Sequence, residues 1–408
     1  MVIYEELGDR IDRAWERARR DERAFPKIAA EALRETRVPE RSGADDLLAW
    51  LFAAESIPAQ NDLAEAFGEP PITVYRGRGF HIEVLFWLRT VTTIHTHGFS
   101  GAFQALAGDR LQTRHAFDVT ERINARMLLG DVRYLGGEMI RPGDVFEITN
   151  DLAHALVHLA SPSATIVVRT ASDPECGPQY DYRAPRLAWD AFHVDELRER
   201  KLQGLRLLCR LGRADALVRA IEVVECSDLA TCLGVLDLVY RTYRTTAAIA
   251  DVIAAADKRH GSEVTRTLLD VLRDERRLRA AQGLRGIVTG EDEKVFVALL
   301  HHVPTRDDIV DLMRQRFPGE DALEKIESLA TSLSGVDKIG VDLKDPLASA
   351  LFRAMLRESS PRGIRRRLGA TFDPAQIEAQ ADAIDRHAER IRGTVLAPLF
   401  RRRGKAAR

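Results

Sequence analysis

The sequence predicts a multidomain α+β protein in which a small β-barrel lies between an N-terminal helical segment and a large C-terminal all-α domain. Two observations favour this class. Apolar residues recur at helical spacing before residue 67 and after residue 185, whereas the region between them holds short runs rich in β-branched and aromatic residues, separated by glycine and proline. The length of 408 residues is sufficient for two or three domains.

Residues 1–66 are predicted to be helical and to pack on the barrel. Ile3, Leu7, Ile11 and Trp15 recur every three or four residues, as expected for one face of an amphipathic helix. A second helix is expected around 45–52, where two aspartates precede an apolar run. The pattern changes at the Gly68-Glu-Pro-Pro turn.

Residues 71–185 are predicted to form the β-rich domain. Its short runs are typical of a sandwich or barrel, because turn-forming residues separate them at close intervals. The predicted strands are Ile72–Tyr75, His81–Leu88, Phe103–Leu106, Asp144–Ile148, Ala155–Leu159 and Thr165–Thr170.

Residues 186–408 are predicted to form an all-α domain. Leu205, Leu208 and Leu211 show helical spacing, as do Val264 and Leu268, but no fixed-period repeat is present. The pattern assigns no chemistry to this region. We therefore expect it to bind a protein partner or to mediate homodimerisation.

Composition and charge exclude several functional classes. A formal net charge of −2 argues against bulk electrostatic binding to nucleic acid or to a membrane surface. No apolar run approaches the roughly 20 residues that span a bilayer, so we expect a cytoplasmic protein. The four cysteines form no CxxC pair and are expected to be reduced.

The sequence His95-Thr-His97 is the strongest functional signal. Alternate residues of a β-strand point to the same face, so the two imidazoles can chelate one divalent metal. His154 follows about sixty residues later, after a Pro-Gly-Asp turn, and is the expected third ligand. His158 lies on the same strand face and is its alternative, either orienting a ligand, binding substrate or lining the barrel.

The region from about 71 to 171 resembles the cupins, and within them the cysteine dioxygenase-like thiol dioxygenases. An apolar strand ending in Trp leads to an HxH pair, then to a loop and a second strand, and a Pro-Gly-Asp turn precedes the third histidine. These segments are Phe80–Trp87, Thr93–His97, Phe103–Gly108, Gly137–Asp144, His154 and Ser161–Thr170. The resemblance implies a double-stranded β-helix barrel. The helical remainder lies outside it.

One departure from ordinary cupins concerns the metal site. They carry a glutamate four or five residues after the second histidine of the pair, where this chain has Gly101 and Ala102. The remaining three neutral imidazoles suit Fe(II), with Zn, Ni and Cu as alternatives. The cysteine that some thiol dioxygenases cross-link to a tyrosine is also replaced, by Ala102.

The resemblance implies a non-heme Fe(II)-dependent oxygenase that adds dioxygen to a small thiol or to another small anionic metabolite. It also implies an arginine that grips a substrate carboxylate, for which Arg76 and Arg78 are both candidates. The residues themselves add four further candidates. Arg169 on a core strand is expected to anchor substrate or to form a structural ion pair, Tyr75 and Tyr134 to offer a phenol or to pack, and Gln104 to be a polar pocket group.

Two other functions are compatible with the sequence. A metal-binding cupin without oxygenase activity would act as a ligand sensor or interaction module, a role favoured by the large helical region. A Zn or Ni cupin isomerase or hydrolase would retain catalysis without redox chemistry.

Overall fold

The structure is a computed structural model of the protein, and it describes residues 1–63, 67–88, 91–171, 173, 176–335 and 339–403. Positions 64–66 of the predicted N-terminal helical segment therefore lie outside the described residues.

The chain forms two compact units, and neither is a continuous segment. The first unit comprises Met1–Ala116, Tyr134–Gly177 and Arg277–Arg408, and the second comprises Phe117–Arg133 and Pro178–Arg276. The three consecutive domains expected from the sequence, 1–66, 71–185 and 186–408, stay a prediction about which segments fold independently.

Helices precede and follow the strands, as the apolar spacing predicts. Several begin at a residue whose side chain accepts a hydrogen bond from the first turn, such as Asp195, Asp228 and Asp345. The helices are α1 (Val2–Arg17), α2 (Phe25–Thr36), α3 (Val38–Arg41), α4 (Ala44–Ala53), α5 (Glu196–Arg210), α6 (Ala216–Glu225), α7 (Leu229–Tyr243), α8 (Ala250–His260), α9 (Ser262–Arg285), α10 (Glu291–His302), α11 (Arg306–Arg316), α12 (Ala322–Ser332), α13 (Pro346–Arg357), α14 (Pro361–Leu368), α15 (Pro374–Ala379) and α16 (Ala381–Arg392).

The strands form two sheets, and each of the six strands predicted from the sequence is present. The strands are β1 (Pro71–Arg76), β2 (Phe80–Trp87), β3 (Ile94–His95), β4 (Gly101–Ala107), β5 (Arg110–Asn124), β6 (Met127–Ile140), β7 (Val145–Ile148), β8 (Ala153–His158), β9 (Ser163–Thr170), β10 (Tyr180–Arg183) and β11 (Leu187–Asp190). One sheet has the order β1-β2-β9-β4-β7, and the other is a closed barrel in the order β10-β11-β6-β5-β8-β3. The α+β class with a small barrel is thereby confirmed.

The five-stranded sheet is buried on both faces, which explains the continuous apolar run in β2. Ile82, Val84 and Phe86 share a core with α1 and α2. Leu85 and Trp87 lie on the opposite face, in a second core that also contains Phe103 and Val167. Because alternate strand residues point to opposite faces, the face of a residue in β2 or β9 follows from its position relative to these. Register shifts interrupt the alternation in β1, between Thr73 and Tyr75, and in β4, between Ala105 and Ala107.

The sequence pattern did not predict β5, β6, β10 or β11, and β11 lies within residues 186–408, which were wrongly expected to be all-α. The two long strands β5 and β6 show why. Residues Glu121–Arg122 near the end of β5 are exposed, and the strand carries Arg, Asp and Glu there instead of an apolar alternation. A strand that is solvated over half its length does not need the period-two pattern on which the prediction relied.

In the first unit, the barrel strands share one hydrophobic core with helices that lie far away in sequence. Leu111 of β5 and Val157 of β8 pack in the same core as Ala281, Phe296 and Leu300. The expected boundary near 185 is therefore misplaced in two respects: β11 follows it, and the cores of strands and later helices are not separated by it.

The second unit has a core of its own, built mainly from α5 to α9. Met127, Leu187, Leu205 and Leu236 are among its buried residues. Strand β11 pairs with β10 and with the first half of β6 in this unit. Among the described residues, no helix is long and apolar enough to cross a membrane.

Candidate metal centre

Two strands bring the three predicted histidines together. His95 on β3 lies directly opposite His154 on β8 in an antiparallel pair, and His97 follows β3 by two residues. Directly opposed residues share one face of a sheet. All three side chains are buried.

The three imidazoles form a nearly equilateral triangle. Their ring centroids are 4.8 Å apart for His95 and His97 and 4.9 Å apart for each of the other two pairs. One ligand nitrogen from each ring lies within 4.8 Å of the others. Two nitrogens bound to one ion at about 2.1 Å are at most about 4.2 Å apart, so a small closure of the triangle suffices for metal binding.

Hydrogen bonds fix two of the rings from behind. Nδ1 of His95 lies 2.8 Å from the carbonyl oxygen of Thr93, and Nδ1 of His154 lies 3.0 Å from Oε1 of Gln112. In both cases Nδ1–H donates, which makes Nε2 the natural ligand atom. The sequence analysis missed Gln112 because it lies on β5, which carries no clear strand signal.

Burial keeps two of these imidazoles neutral. It lowers the pKa of His97 well below its ordinary value, and the charges of His95, His154 and Arg169 lower it further. Burial also lowers the pKa of His154, with contributions from His95 and His115. Nδ1 of His97 is buried and has no hydrogen-bond partner among the described residues. A neutral imidazole can bind a metal ion without first losing a proton. The low pKa values and the unpaired ring nitrogen of His97 therefore fit a metal site.

Aromatic rings border the histidines. Phe99 lies 5.0 Å from the ring of His97, and Phe103 lies 5.8 Å from that of His154. Phe146 stacks on Phe103 at 5.3 Å. These rings give the triad an apolar border, and Arg169 is a charged group close enough to affect His97.

Arg169 reaches this region from β9. Its guanidinium carbon lies 4.8 Å above the ring of Phe99, the neighbour of His97. Its Nε lies 2.8 Å from Nε2 of His81 and 3.1 Å from Oε2 of Glu83. His81 and Arg169 are directly opposed in the β2–β9 pair, so they share the site-facing side of the sheet.

Glu83 is a buried carboxylate that holds Arg169 in place. It also accepts a hydrogen bond from Nδ2 of Asn61 at 2.6 Å. Burial opposes ionisation of Glu83, but hydrogen bonding with His81, the charge of Arg169 and the Asn61 bond outweigh it and lower the pKa to about 2. The sequence analysis proposed substrate anchoring or a structural ion pair for Arg169, and the structure shows that the ion pair exists.

His158 lies on the same face of β8 as His154, with Leu156 between them. Four residues of strand separate the two histidines by about 13 Å. The His158 ring stacks on Trp87 at 4.8 Å, and its Nδ1 lies 2.7 Å from Oγ of Ser163. The structure therefore places His158 away from the triad, at another level of the barrel.

Tyr75 and Gln104 lie on the other face of the five-stranded sheet. Tyr75 contacts Phe80 at 5.9 Å, and its hydroxyl donates to Asp9 of α1 at 3.4 Å. Gln104 neighbours Phe103 on β4, so it points to the opposite face, and its Nε2 donates to the carbonyl of Gly143 at 3.1 Å. The structure brings neither side chain to the triad.

Arg76, at the end of β1, and Arg78, in the loop between β1 and β2, are exposed and do not line the triad. Arg76 donates from Nε to the carbonyl of Ala59 at 2.6 Å and also bonds Asn61. The carbonyl oxygen of Arg78 accepts a hydrogen bond from the side chain of Arg20. Arg76 is thus connected to Glu83 through Asn61, which gives it an indirect place in the Arg169 cluster.

Tyr134 contacts His115 at 5.7 Å.

Among the described residues, His95, His97 and His154 are the single group of three or more His, Cys, Asp or Glu side chains arranged to hold a metal ion. The ring centroids of His301 and His302 are 4.4 Å apart, but no third metal-ligating side chain joins them among the described residues.

No family model matches the chain, and no curated protein matches it. Among solved structures, it is similar to a chain from the crystal structures of the DMSP lyases RdDddP and RnDddQII. That match has 14% sequence identity, covers 42% of this chain and 93% of the other, and has a TM-score of 0.23, so it carries no argument about fold or function. The small barrel and its buried triad of histidines are, by their own geometry, compatible with a cupin.

Proposed function

We propose that the protein is a metal-dependent oxygenase of the three-histidine cupin type, with Fe(II) held by His95, His97 and His154. Its substrate would be a small anionic molecule, in the first instance a thiol that carries a carboxylate. The observation that supports this most directly is the buried triangle of imidazoles, two of whose rings are fixed from behind by hydrogen bonds.

The donor set fits a first-row divalent metal. Neutral imidazoles are common ligands of iron, zinc, nickel and copper, and three of them leave coordination positions for other ligands. An iron ion in this site would supply redox chemistry with dioxygen, whereas zinc would supply Lewis acidity alone. Gln112 and the Thr93 carbonyl would keep two imidazoles in the tautomer that presents Nε2.

Arg169 is the residue best placed to orient an anionic substrate. Its Nε contacts His81 and Glu83, and its two terminal nitrogens donate no side-chain hydrogen bond among the described residues. These two nitrogens form the fork that matches a carboxylate. Because Glu83 fixes the other side of the guanidinium, the fork is held in position before any substrate arrives.

Phe99 and Phe103 would shield the reacting groups from water. A thiol bound beside them loses hydration, and interactions among the charged groups become stronger in the apolar surroundings. The net reaction with a thiolate needs no further reactant. The sulfur is oxidised and both atoms of dioxygen enter the product, a sulfinate, so that RS⁻ and O₂ give RSO₂⁻.

The test combines metal analysis with oxygen uptake. Protein purified without oxygen is assayed for metal by mass spectrometry, loaded with Fe(II), and mixed with thiols that do or do not carry a carboxylate. We expect about one metal per chain and oxygen uptake that depends on the carboxylate-bearing thiols. Bound zinc or nickel with no uptake under any condition would instead favour a non-redox enzyme or a ligand sensor, and absence of metal binding would remove the basis of the proposal.

A further inference from the structure

The second unit contains a cavity of about 540 Å³. Its walls come from four elements of that unit: Arg183 on β10, Trp189 on β11, one side of α5, and one side of α7. A volume between about 300 and 1,000 Å³ is typical of sites for small organic ligands.

Positive charge dominates the lining of this cavity. Five arginines lie in its walls, against two carboxylates, Glu199 and Asp237. The arginines are Arg183, Arg198, Arg206, Arg210 and Arg241.

Three of these arginines already have acidic partners. Arg241 contacts both carboxylate oxygens of Asp237, at 2.8 and 2.7 Å. Arg183 lies 3.1 Å from Glu275, and Arg198 lies 3.5 Å from Glu199. Their charges are thus largely balanced within the unit.

Arg206 and Arg210 have no hydrogen-bond or ion-pair partner within the described part of the chain, and both are exposed. They are four residues apart on α5, so they lie next to each other on one side of the helix, where both line the cavity. Two adjacent guanidiniums without counterions repel each other, and an oxyanion between them would relieve this repulsion.

The remaining walls are apolar. Leu202 of α5 and Leu233 and Leu238 of α7 line the cavity. Gly234 lets the two helices approach, because a Cβ there would lie 2.7 Å from a methyl carbon of Leu202. The ring of Trp189 is held by Arg198, whose guanidinium carbon lies 4.7 Å from it. A bound molecule would therefore meet charge at Arg206 and Arg210 and hydrocarbon beside them.

We propose that this cavity binds a phosphomonoester with an apolar or aromatic body. A phosphate dianion offers three oxygens and enough charge to balance both free guanidiniums, whereas a monocarboxylate would balance the charge of one only. The organic part of the ligand would lie against the leucines and Trp189. This site belongs to the second unit and is independent of the proposed function of the histidine triad.

The test is calorimetric titration of the full-length protein with phenyl phosphate and with adenosine 5′-monophosphate, beside inorganic phosphate, adenosine and succinate. We expect one site per chain for an aromatic phosphate, weaker binding of inorganic phosphate and none of adenosine. Loss of two charge-assisted contacts in the double variant Arg206→Gln/Arg210→Gln should weaken binding at least about tenfold. Arg200→Gln, an exposed arginine of the same helix that bonds Gln203 and lies outside the cavity lining, should change it less than about twofold.

Three results would overturn the assignment. They are the absence of saturable binding of both aromatic phosphates, equal affinity in the double variant and the native protein, and binding of succinate in place of the phosphates. Raising the salt concentration gives a second readout, because binding that depends on two guanidiniums must weaken with ionic strength.

Discussion

Gln112 and His154 are joined by a hydrogen bond between neighbouring strands, in which Oε1 of Gln112 accepts from Nδ1 of His154 at 3.0 Å. Gln112 is buried on β5 and His154 is buried on β8. A side chain from a strand with no evident sequence signal thus sets the orientation of a proposed metal ligand.

Replacing Gln112 with leucine should weaken metal binding without unfolding the protein. Partners of ligating histidines typically contribute 10- to 100-fold to metal affinity, so we expect a loss of roughly that size for Gln112→Leu in a chelator competition assay. Gln104→Leu is the matched control, since Gln104 is also buried but lies on the other face of its sheet. Equal losses in the two variants would show that the effect is one of stability and not of ligand orientation.

Removing one histidine of the triad should abolish stoichiometric metal binding. For His97→Ala we expect metal content well below one per chain by mass spectrometry, because two imidazoles alone hold a divalent ion weakly. His387→Ala changes a histidine of α16, remote in sequence from the triad, and should retain full metal content. Full occupancy in His97→Ala would contradict the assignment of the site.

Arg169→Gln should impair substrate binding while leaving the metal in place. Loss of the guanidinium fork should raise KM for a carboxylate-bearing substrate at least about tenfold, the usual size of one lost charge-assisted contact. Arg76→Gln, at an exposed position that bonds Asn61, should have a much smaller effect. A larger effect on KM at Arg76 than at Arg169 would favour Arg76, at the end of β1, as the substrate anchor.

The stability that Glu83 contributes should disappear at low pH. Its pKa in the folded protein, about 2, is lower than the ordinary 4.5, so the contribution is complete above pH 4.5 and is lost as the pH falls towards 2. A difference of this size corresponds to at most about 3 kcal/mol. In urea unfolding, native protein and Glu83→Gln should differ most at pH 6 to 7, and the difference should shrink as the pH falls from about 4 to 2. A difference that stays constant with pH would mean that ionisation of Glu83 has no part in it.

A fragment that ends at residue 190 tests whether the barrel folds independently. Such a fragment keeps the triad but loses the helices that cover Leu111, Val157 and Leu159. We expect lower thermal stability and exposed apolar surface, detected by dye binding, because these side chains would face water. A cooperative, full-affinity metal-binding fragment would show that residues 1–190 are an autonomous domain, as the sequence pattern suggests.

The HxH spacing and the alternation of short apolar runs were informative because they depend only on neighbouring residues. A period of two places His95 and His97 on one side whatever the rest of the chain does. Strands β1, β2 and β9 were predicted from another local signal. Burial on both faces leaves a nearly continuous apolar run in each of them.

The sequence by itself determined the order of the helical and β-rich regions and the histidines that come together. Only the tertiary structure decided which strand face each remaining candidate occupies. Tyr75 and Gln104 are on the side of α1 and α2, while Glu83 and Arg169 are on the side of the triad. The physical reason is that a β-bulge or similar irregularity shifts the alternation by one residue, as between Thr73 and Tyr75 of β1. Such a shift exchanges the two faces of a sheet, and local sequence does not reveal it.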